Sequence, residues 1–330
     1  MADLRMGLVG LGMMGRHHAR VVRELDGVRL VGAADALGDV HGAMSGLPVY
    51  DTVAELVDAG IDMCVVAVPT ALHEEVALEL AEAGVHTLVE KPIASDSAGG
   101  RRIVEAFRTR GLVGGVGHIE RFNPALQNVR ERLEGGELGE VYQIATRRQG
   151  PFPGRIADVG VVKDLATHDI DLTAWLARSR YASVFARATH RSGRPYEDMI
   201  AVTGQLENGV ITNHLVNWLS PMKERLTVIT GARGAFVADT LTADLTFFEN
   251  GTVATEWASM ATFRGVSEGA ATRYAIVKKE PLRAEHEAFR DAVLGLSDRL
   301  VSLEEGLRTV IVAEAVIASA RDHVVESIEA

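Results

Sequence analysis

Leu4-Arg5-Met6-Gly7-Leu8-Val9-Gly10-Leu11-Gly12-Met13-Met14-Gly15-Arg16-His17-His18-Ala19-Arg20-Val21-Val22-Arg23 decides the fold. A short apolar run, too short for a helix, passes through three spaced glycines into a helical pattern, which reads as strand, turn, helix. Gly10 permits the tight turn, Gly12 lets a bulky anion approach the backbone, and Gly15 lets the helix pack close to the strand. The first amides of that helix, at Met13 and Met14, would face such an anion with a favourable dipole. Glycines at this spacing are a weak signal alone. His17 and His18 read as helix-surface residues without a role.

The flanking sequence strengthens the signal. Residues 28–34 read as a second strand ending in Asp35, where an acid accepts hydrogen bonds from an adenosine ribose. The motif then reads as a dinucleotide cradle. Ala36-Leu37-Gly38 brings no arginine for a 2′-phosphate, so the cofactor expected is NAD rather than NADP. Helices over 52–59, 73–83 and 97–110 alternate with strands over 61–68, 86–89 and 112–118. That alternation means right-handed crossovers and a doubly wound parallel sheet. Ligands bind at the carboxyl ends of such strands. Pro69 and Thr70 lie at one such end, and Glu90-Lys91-Pro92 at another, on the rim that Gly10–Gly15 occupies. The first domain is expected over 1–119.

Of the 330 residues, 47% are hydrophobic and 24% charged, enough to bury a real core, and the length suits two domains. The net charge of −11, with no basic block, argues against nucleic acid and anionic membrane as partners. Cys64 is the only cysteine, which excludes an intrachain disulfide and a cysteine-based zinc site. It sits in an apolar run and reads as a buried hydrophobe. The N-terminus has no signal-peptide layout and no apolar run reaches membrane-span length, so a cytoplasmic protein is expected.

Beyond residue 119 the texture changes. Asn123 reads as an N-cap with Pro124 at the first helical position. A strand over 141–148, an irregular Pro/Gly stretch and a helix over 164–177 follow. Short β runs come next, over 183–190, 199–206, 210–218, 224–230, 235–239, 245–249 and 252–257, with Asn208-Gly209 and Asn250-Gly251 as hairpin turns. Two closing helices over 283–296 and 303–323 finish the chain, and spacing does not say how they dock. The second domain, 120–330, is expected to be α+β with a large, mostly antiparallel open sheet. Such a sheet suits substrate binding and assembly into a homodimer or homotetramer.

Asp164 and His168 stand four apart on a helix, hence on one face. A histidine within reach of carboxylates can take a hydroxyl proton near neutral pH, and a nearby cation stabilises the oxygen left behind. Lys91 and His168 meet those needs without a metal. On spacing alone, an N-capping Asp164 and a structural His168 fit equally well.

Four stretches together resemble the Gfo/Idh/MocA oxidoreductases over essentially the whole chain. They are Gly10–Gly15, Glu90-Lys91-Pro92, Arg121-Phe122-Asn123-Pro124 and Asp164-Leu165-Ala166-Thr167-His168-Asp169-Ile170-Asp171. The resemblance implies Lys91, Asp164 and His168 as catalytic residues and a cis Lys91–Pro92 bond. It also implies substrate contacts from Arg121, Asn123 and Asp171. The chain departs from many members at Asp158-Val159-Gly160-Val161-Val162-Lys163 and at Ala166, where they carry glycines. With Gly150-Pro151-Phe152-Pro153 it looks most like the subgroup containing UDP-N-acetylglucosamine 3-dehydrogenases. Arg147, Arg148 and Arg155 could pair with a diphosphate there, and are equally well read as a solvated strand end. The function expected is NAD-dependent oxidation of a secondary hydroxyl of a sugar or nucleotide sugar. The alternatives are an inositol or polyol dehydrogenase, a keto-sugar reductase, an NAD-dependent glycosidase and a non-catalytic NAD-binding regulator.

Overall fold

The computed structural model of the chain describes residues 3–154, 159–251 and 268–328. They form two compact units, Met1–Phe122 with Lys279–Glu314, and Asn123–Lys278 with Ala315–Ala330. The units are therefore not contiguous stretches: residues 279–314, expected within the second domain, pack with the first.

In the first unit, β1 (Leu4–Val9), β2 (Val28–Ala34), β3 (Val49–Tyr50), β4 (Met63–Val66), β5 (His86–Glu90) and β6 (Gly114–Gly117) make one sheet in the order β3-β2-β1-β4-β5-β6. Every pairing is parallel, the strand order of a dinucleotide-binding fold. Helices α1 (Met13–Arg23), α2 (Val53–Asp58), α3 (His73–Glu82) and α4 (Ser97–Arg110) cross between strands. Local chemistry sets their starts. Thr52 opens α2 with a capping box completed by Glu55, and the Asp96 side chain accepts from the Gly99 amide at the head of α4.

Alternate residues of β4 enter opposite cores: Met63 and Val65 one, Cys64 and Val66 the other. A parallel strand covered on both faces reads as a continuous apolar run, which is what 63–68 looks like. Cys64 is fully buried, and burial pushes its thiol well up, so it behaves as the hydrophobe expected.

The closing helices, α7 (Pro281–Val293) and α8 (Leu303–Asp322), contribute Phe289 to one of these cores and Leu303 and Val310 to the other. Phe289 is completely buried. Phe289→Ala should therefore destabilise the first unit, by about 3–5 kcal/mol, although that residue lies far along the chain. Chemical denaturation followed by a probe in the first unit would check this.

In the second unit, a nine-stranded sheet has the order β14-β13-β12-β11-β7-β10-β9-β8-β15. Its strands are β7 (Val141–Pro151), β8 (Tyr181–Thr189), β9 (Met199–Leu206), β10 (Ile211–Asn217), β11 (Leu219–Gly231), β12 (Gly234–Asp239), β13 (Asp244–Asn250), β14 (Glu268–Arg273) and β15 (Glu326–Ser327). All pairs are antiparallel except β7 with β10. Helices α5 (Pro124–Glu134) and α6 (Thr167–Ala177) pack against it. β11 begins earlier than expected because its register with β7 shifts between Leu219 and Glu224, an irregularity that masks the period-two pattern. The strand expected over 252–257 lies outside the described residues.

Candidate functional site: a dinucleotide cradle and a buried histidine-bearing helix

The three glycines of the first turn behave differently, as their chemistry requires. Gly10 has φ +93°, a left-handed conformation that disfavours any side chain. A Cβ on Gly15 would stand 1.9 Å from the Gly10 carbonyl oxygen, so α1 packs on that turn with no room for a methyl group. A Cβ on Gly12 would meet nothing within 4 Å, leaving open space directly over the turn. No side chain caps α1, and no acid occupies its first turn, so the amides following Gly12 keep their capacity for an anion.

Asp35 faces the same loop. Its carboxylate accepts from the Leu11 amide at 2.7 Å and from the Leu37 amide at 2.8 Å, one oxygen each. The acid is thus fixed beside the glycine turn with lone pairs left for ribose hydroxyls, and it would repel a 2′-phosphate. Met13 is exposed at the head of α1 and Met14 is half-buried. This cradle fits a dinucleotide.

Pro69 and Thr70 follow β4, and Glu90 and Lys91 end and follow β5, on the rim expected from the sequence. The Lys91–Pro92 peptide is cis, as the resemblance implied. His73 stitches the two strand ends together, with Nδ1 2.8 Å from the Pro92 carbonyl and Nε2 3.0 Å from that of Val68. Burial holds His73 below the usual imidazole range although both carbonyls favour a second N–H, and the neutral ring donates to only one of them.

One expectation in this unit changes, and one candidate residue proves to have a buried ion-pair partner. His18 is completely buried rather than on the surface, with Nε2 2.9 Å from Glu90 Oε1 and Nδ1 2.9 Å from His286 Nε2. Arg121, expected to contact substrate, is buried and its guanidinium pairs with Glu305 at 2.7 Å. The signal for His18 was present. It lies on the same helical stripe as Gly15, Ala19 and Val22, and a polar residue on the apolar stripe of a helix needs a buried partner.

In the second unit, Asn123 caps α5 as expected, its oxygen accepting from the Ala125 amide at 3.0 Å. Its amide donates to the Thr240 carbonyl at 3.0 Å. Both polar ends of Asn123 have structural partners. Arg155 lies outside the described residues.

The segment carrying Asp164 and His168 is not one regular helix. Val162–Ala166 forms a π turn that runs into α6, and π turns are rare and concentrated at functional sites. Nothing in the spacing announced it. Asp164 and Asp171 are buried, whereas His168 is half-buried. Arg148 is buried and its Nε lies 3.1 Å from both oxygens of Asp169, so it anchors α6 to β7 and does not await a diphosphate. Arg147 is exposed and pairs with Glu224 at 2.8 Å.

Beneath α6 runs a buried chain of hydroxyls and imidazole. Thr173 Oγ1 lies 2.5 Å from the Tyr181 hydroxyl, which lies 2.8 Å from His214 Nε2, while His214 Nδ1 lies 2.8 Å from Thr146 Oγ1. Burial, then the charge of Arg148, push His214 down to about 3. The native state therefore binds this proton less readily than the unfolded chain. The stabilisation is fully present above pH 6.5 and fades as pH falls towards about 3. The ceiling on that loss is about 5 kcal/mol, at 1.36 kcal/mol per unit. Denaturation of the wild type and His214→Gln at pH 7 and pH 4 should show the wild type losing more stability than the variant.

Residues 4–118 match the oxidoreductase family with an NAD-binding Rossmann fold, and residues 126–237 match the GFO/IDH/MocA C-terminal domain. The inositol 2-dehydrogenase of Corynebacterium glutamicum is 32% identical over 229 residues, covering 65% of this chain and 67% of its own length. The UDP-N-acetylglucosamine 3-dehydrogenase of Acidithiobacillus ferrooxidans is 30% identical over 223 residues, covering 64% of this chain and 66% of its own length. A solved structure of that enzyme superposes with TM-score 0.84 at 25% identity, over 98% of this chain and 99% of the other. The WlbA dehydrogenase from Bordetella pertussis, solved with NADH and UDP-GlcNAcA, shares the fold at TM-score 0.80 and 23% identity, over 99% of each chain.

Proposed function

The chain belongs to the Gfo/Idh/MocA family of NAD-binding oxidoreductases, and we propose that it oxidises a secondary hydroxyl of a sugar or nucleotide sugar. A UDP-N-acetylhexosamine is the first candidate substrate. The observation that supports this choice most is the likeness, in sequence and along nearly the whole fold, to a UDP-N-acetylglucosamine 3-dehydrogenase. A second reading, oxidation of a free inositol, is favoured by the 32% identity to inositol 2-dehydrogenases.

Alcohol oxidation removes a hydride from carbon and a proton from oxygen. NAD, when bound, supplies the hydride acceptor. Of the chain's own residues, His168 takes the hydroxyl proton, Lys91 stabilises charge developing on the oxygen, and Asp164 orients the pair. Arg121, Asn123, Arg155 and Asp171 form the proposed substrate set. Gly10, Gly12, Gly15, the amides at Met13 and Met14, Asp35, Pro69, Thr70, Glu90 and Lys91 form the cofactor set. The domain containing the second sheet would hold the substrate and mediate assembly as a homodimer or homotetramer. A cytoplasmic location belongs to the same proposal. Among the described residues no helix is long and apolar enough to cross a membrane.

The test is NADH absorbance with NAD and a panel of UDP-N-acetylglucosamine, related UDP-sugars, free sugars and inositols. A rise with UDP-sugars alone supports the leading reading, and a rise with inositols alone replaces it by the second. No rise, given demonstrated NAD binding, rejects both and shifts weight to a keto-sugar reductase, a glycosidase with bound cofactor or a regulator.

A further inference from the structure

The first unit buries more ionisable side chains than a dinucleotide cradle needs. His18 on α1 and Glu285 and His286 on α7 are all completely buried. The two imidazoles meet edge to face, with centroids 5.0 Å apart and planes at 85°. From them a line of polar atoms runs outward: His286 Nε2 to His18 Nδ1 at 2.9 Å, then His18 Nε2 to Glu90 Oε1 at 2.9 Å. The other Glu90 oxygen accepts from the backbone amide of Lys91 at 3.1 Å. Residues 18 and 286 are brought together here by the return of α7 onto α1.

Hydrogen-bond chemistry gives this line a direction. An ionised Glu90 can only accept, so His18 Nε2 carries a hydrogen. With His18 neutral, its Nδ1 is an acceptor, so His286 Nε2 donates. His286 Nδ1 is left as a lone pair, and that atom is buried without a partner. The opposite polarity needs a second charge in the core and turns that same atom into an unmet N–H donor. Burial, with the neighbouring His18, drives His286 strongly towards its neutral form.

The surrounding groups leave room for one negative charge. Burial alone would raise the Glu90 carboxyl, but the hydrogen bond from His18, then Lys91, hold it below the usual range. Burial and the charge of Glu90 push Glu285 well above it, and neither Glu285 oxygen has a partner. Lys91 follows Glu90, His73 braces the carbonyl of Pro92, and His118 is buried just ahead of the 119–122 turn that packs on α7.

We propose that His18 and His286 are positioning residues for Lys91: an imidazole pair, oriented one way, that clamps the Glu90 carboxylate and through it the backbone of Glu90-Lys91-Pro92. The proposal rests on the reading of Lys91 as a catalytic residue. Because α1 also carries the glycine turn at its head, one clamp ties the cofactor cradle to the lysine. A misplacement of about 1 Å remote from the chemistry can lower a rate by about 100-fold.

Two measurements on the full chain decide it. The first is ring ¹⁵N NMR of the histidines between pH 6 and 8, with backbone amide spectra of wild type and His286→Leu. His18 should carry a hydrogen on Nε2 and accept at Nδ1, His286 should appear as the Nε2–H tautomer, and the Lys91 amide should shift in the variant. An N–H at Nδ1 of either residue or an unmoved Lys91 amide would overturn the clamp. The second is steady-state kinetics of His18→Asn and His286→Leu. A fall in kcat of about 10- to 100-fold, with KM for NAD and substrate nearly unchanged, is expected. Folded variants with wild-type kcat would overturn the positioning role. If His18→Asn does not fold, His286→Leu, one hydrogen bond further from Glu90, carries the kinetic test. If the wild type turns over nothing in the panel, the functional reading fails, and the NMR measurements still decide the clamp.

Discussion

Lys91→Met should lower turnover of an accepted substrate by about 100- to 10,000-fold, with NAD affinity changed only a few-fold. Methionine keeps an unbranched apolar stem, so the change removes the charge while disturbing little packing. The glycine turn and Asp35, on which cofactor affinity depends in this assignment, are untouched. His168→Ala should produce a loss of similar size, because the proposal assigns the hydroxyl proton to His168. The two losses should combine non-additively, as they do for residues that act on the same atoms. Near-normal turnover in both single variants would falsify the assignment of Lys91 and His168 together.

Gly15→Ala should cost the protein both NAD binding and stability. The added methyl carbon would lie 1.9 Å from a backbone oxygen and 2.8 Å from its carbon, and neither can swing aside as a side chain could. Helix α1 must then lift from the glycine turn, at about 1–3 kcal/mol or more, taking its N-terminal amides out of line. NAD affinity should drop by at least about 100-fold, the equivalent of about 3 kcal/mol. Gly12→Ala is the informative control, because its methyl group would enter open space. That variant should keep the wild-type melting temperature and still lose NAD affinity, since the methyl group occupies the space the cofactor needs. Calorimetric titration with NAD alongside thermal melts would separate the two effects. Equal melting temperatures for Gly15→Ala and wild type would show that the tight packing of α1 is not required.

Most of the fold was legible because it rests on local periodicity. The apolar run of β4, the glycine turn before α1 and the caps at Thr52, Asp96 and Asn123 are short-range signals, and the elements they mark formed within a few residues of where they were expected. The cradle was legible for the same reason: its glycines and Asp35 are tied to strand ends that the pattern locates.

What sequence could not decide is which distant polar groups meet. Arg148 and Asp169 pair across β7 and α6, Arg121 reaches Glu305, and His18 reaches both Glu90 and His286. Each contact is selected by desolvation, since a charge or imidazole carried into the core must find whichever partner the packing brings near. Linear spacing holds no record of that choice. The sequence by itself determined a parallel dinucleotide-binding sheet, a second antiparallel sheet and the candidates Lys91, Asp164 and His168. Only the tertiary structure decided that α7 returns to the first core, that Asp164 sits in a π turn, and that a buried imidazole pair stands behind Glu90.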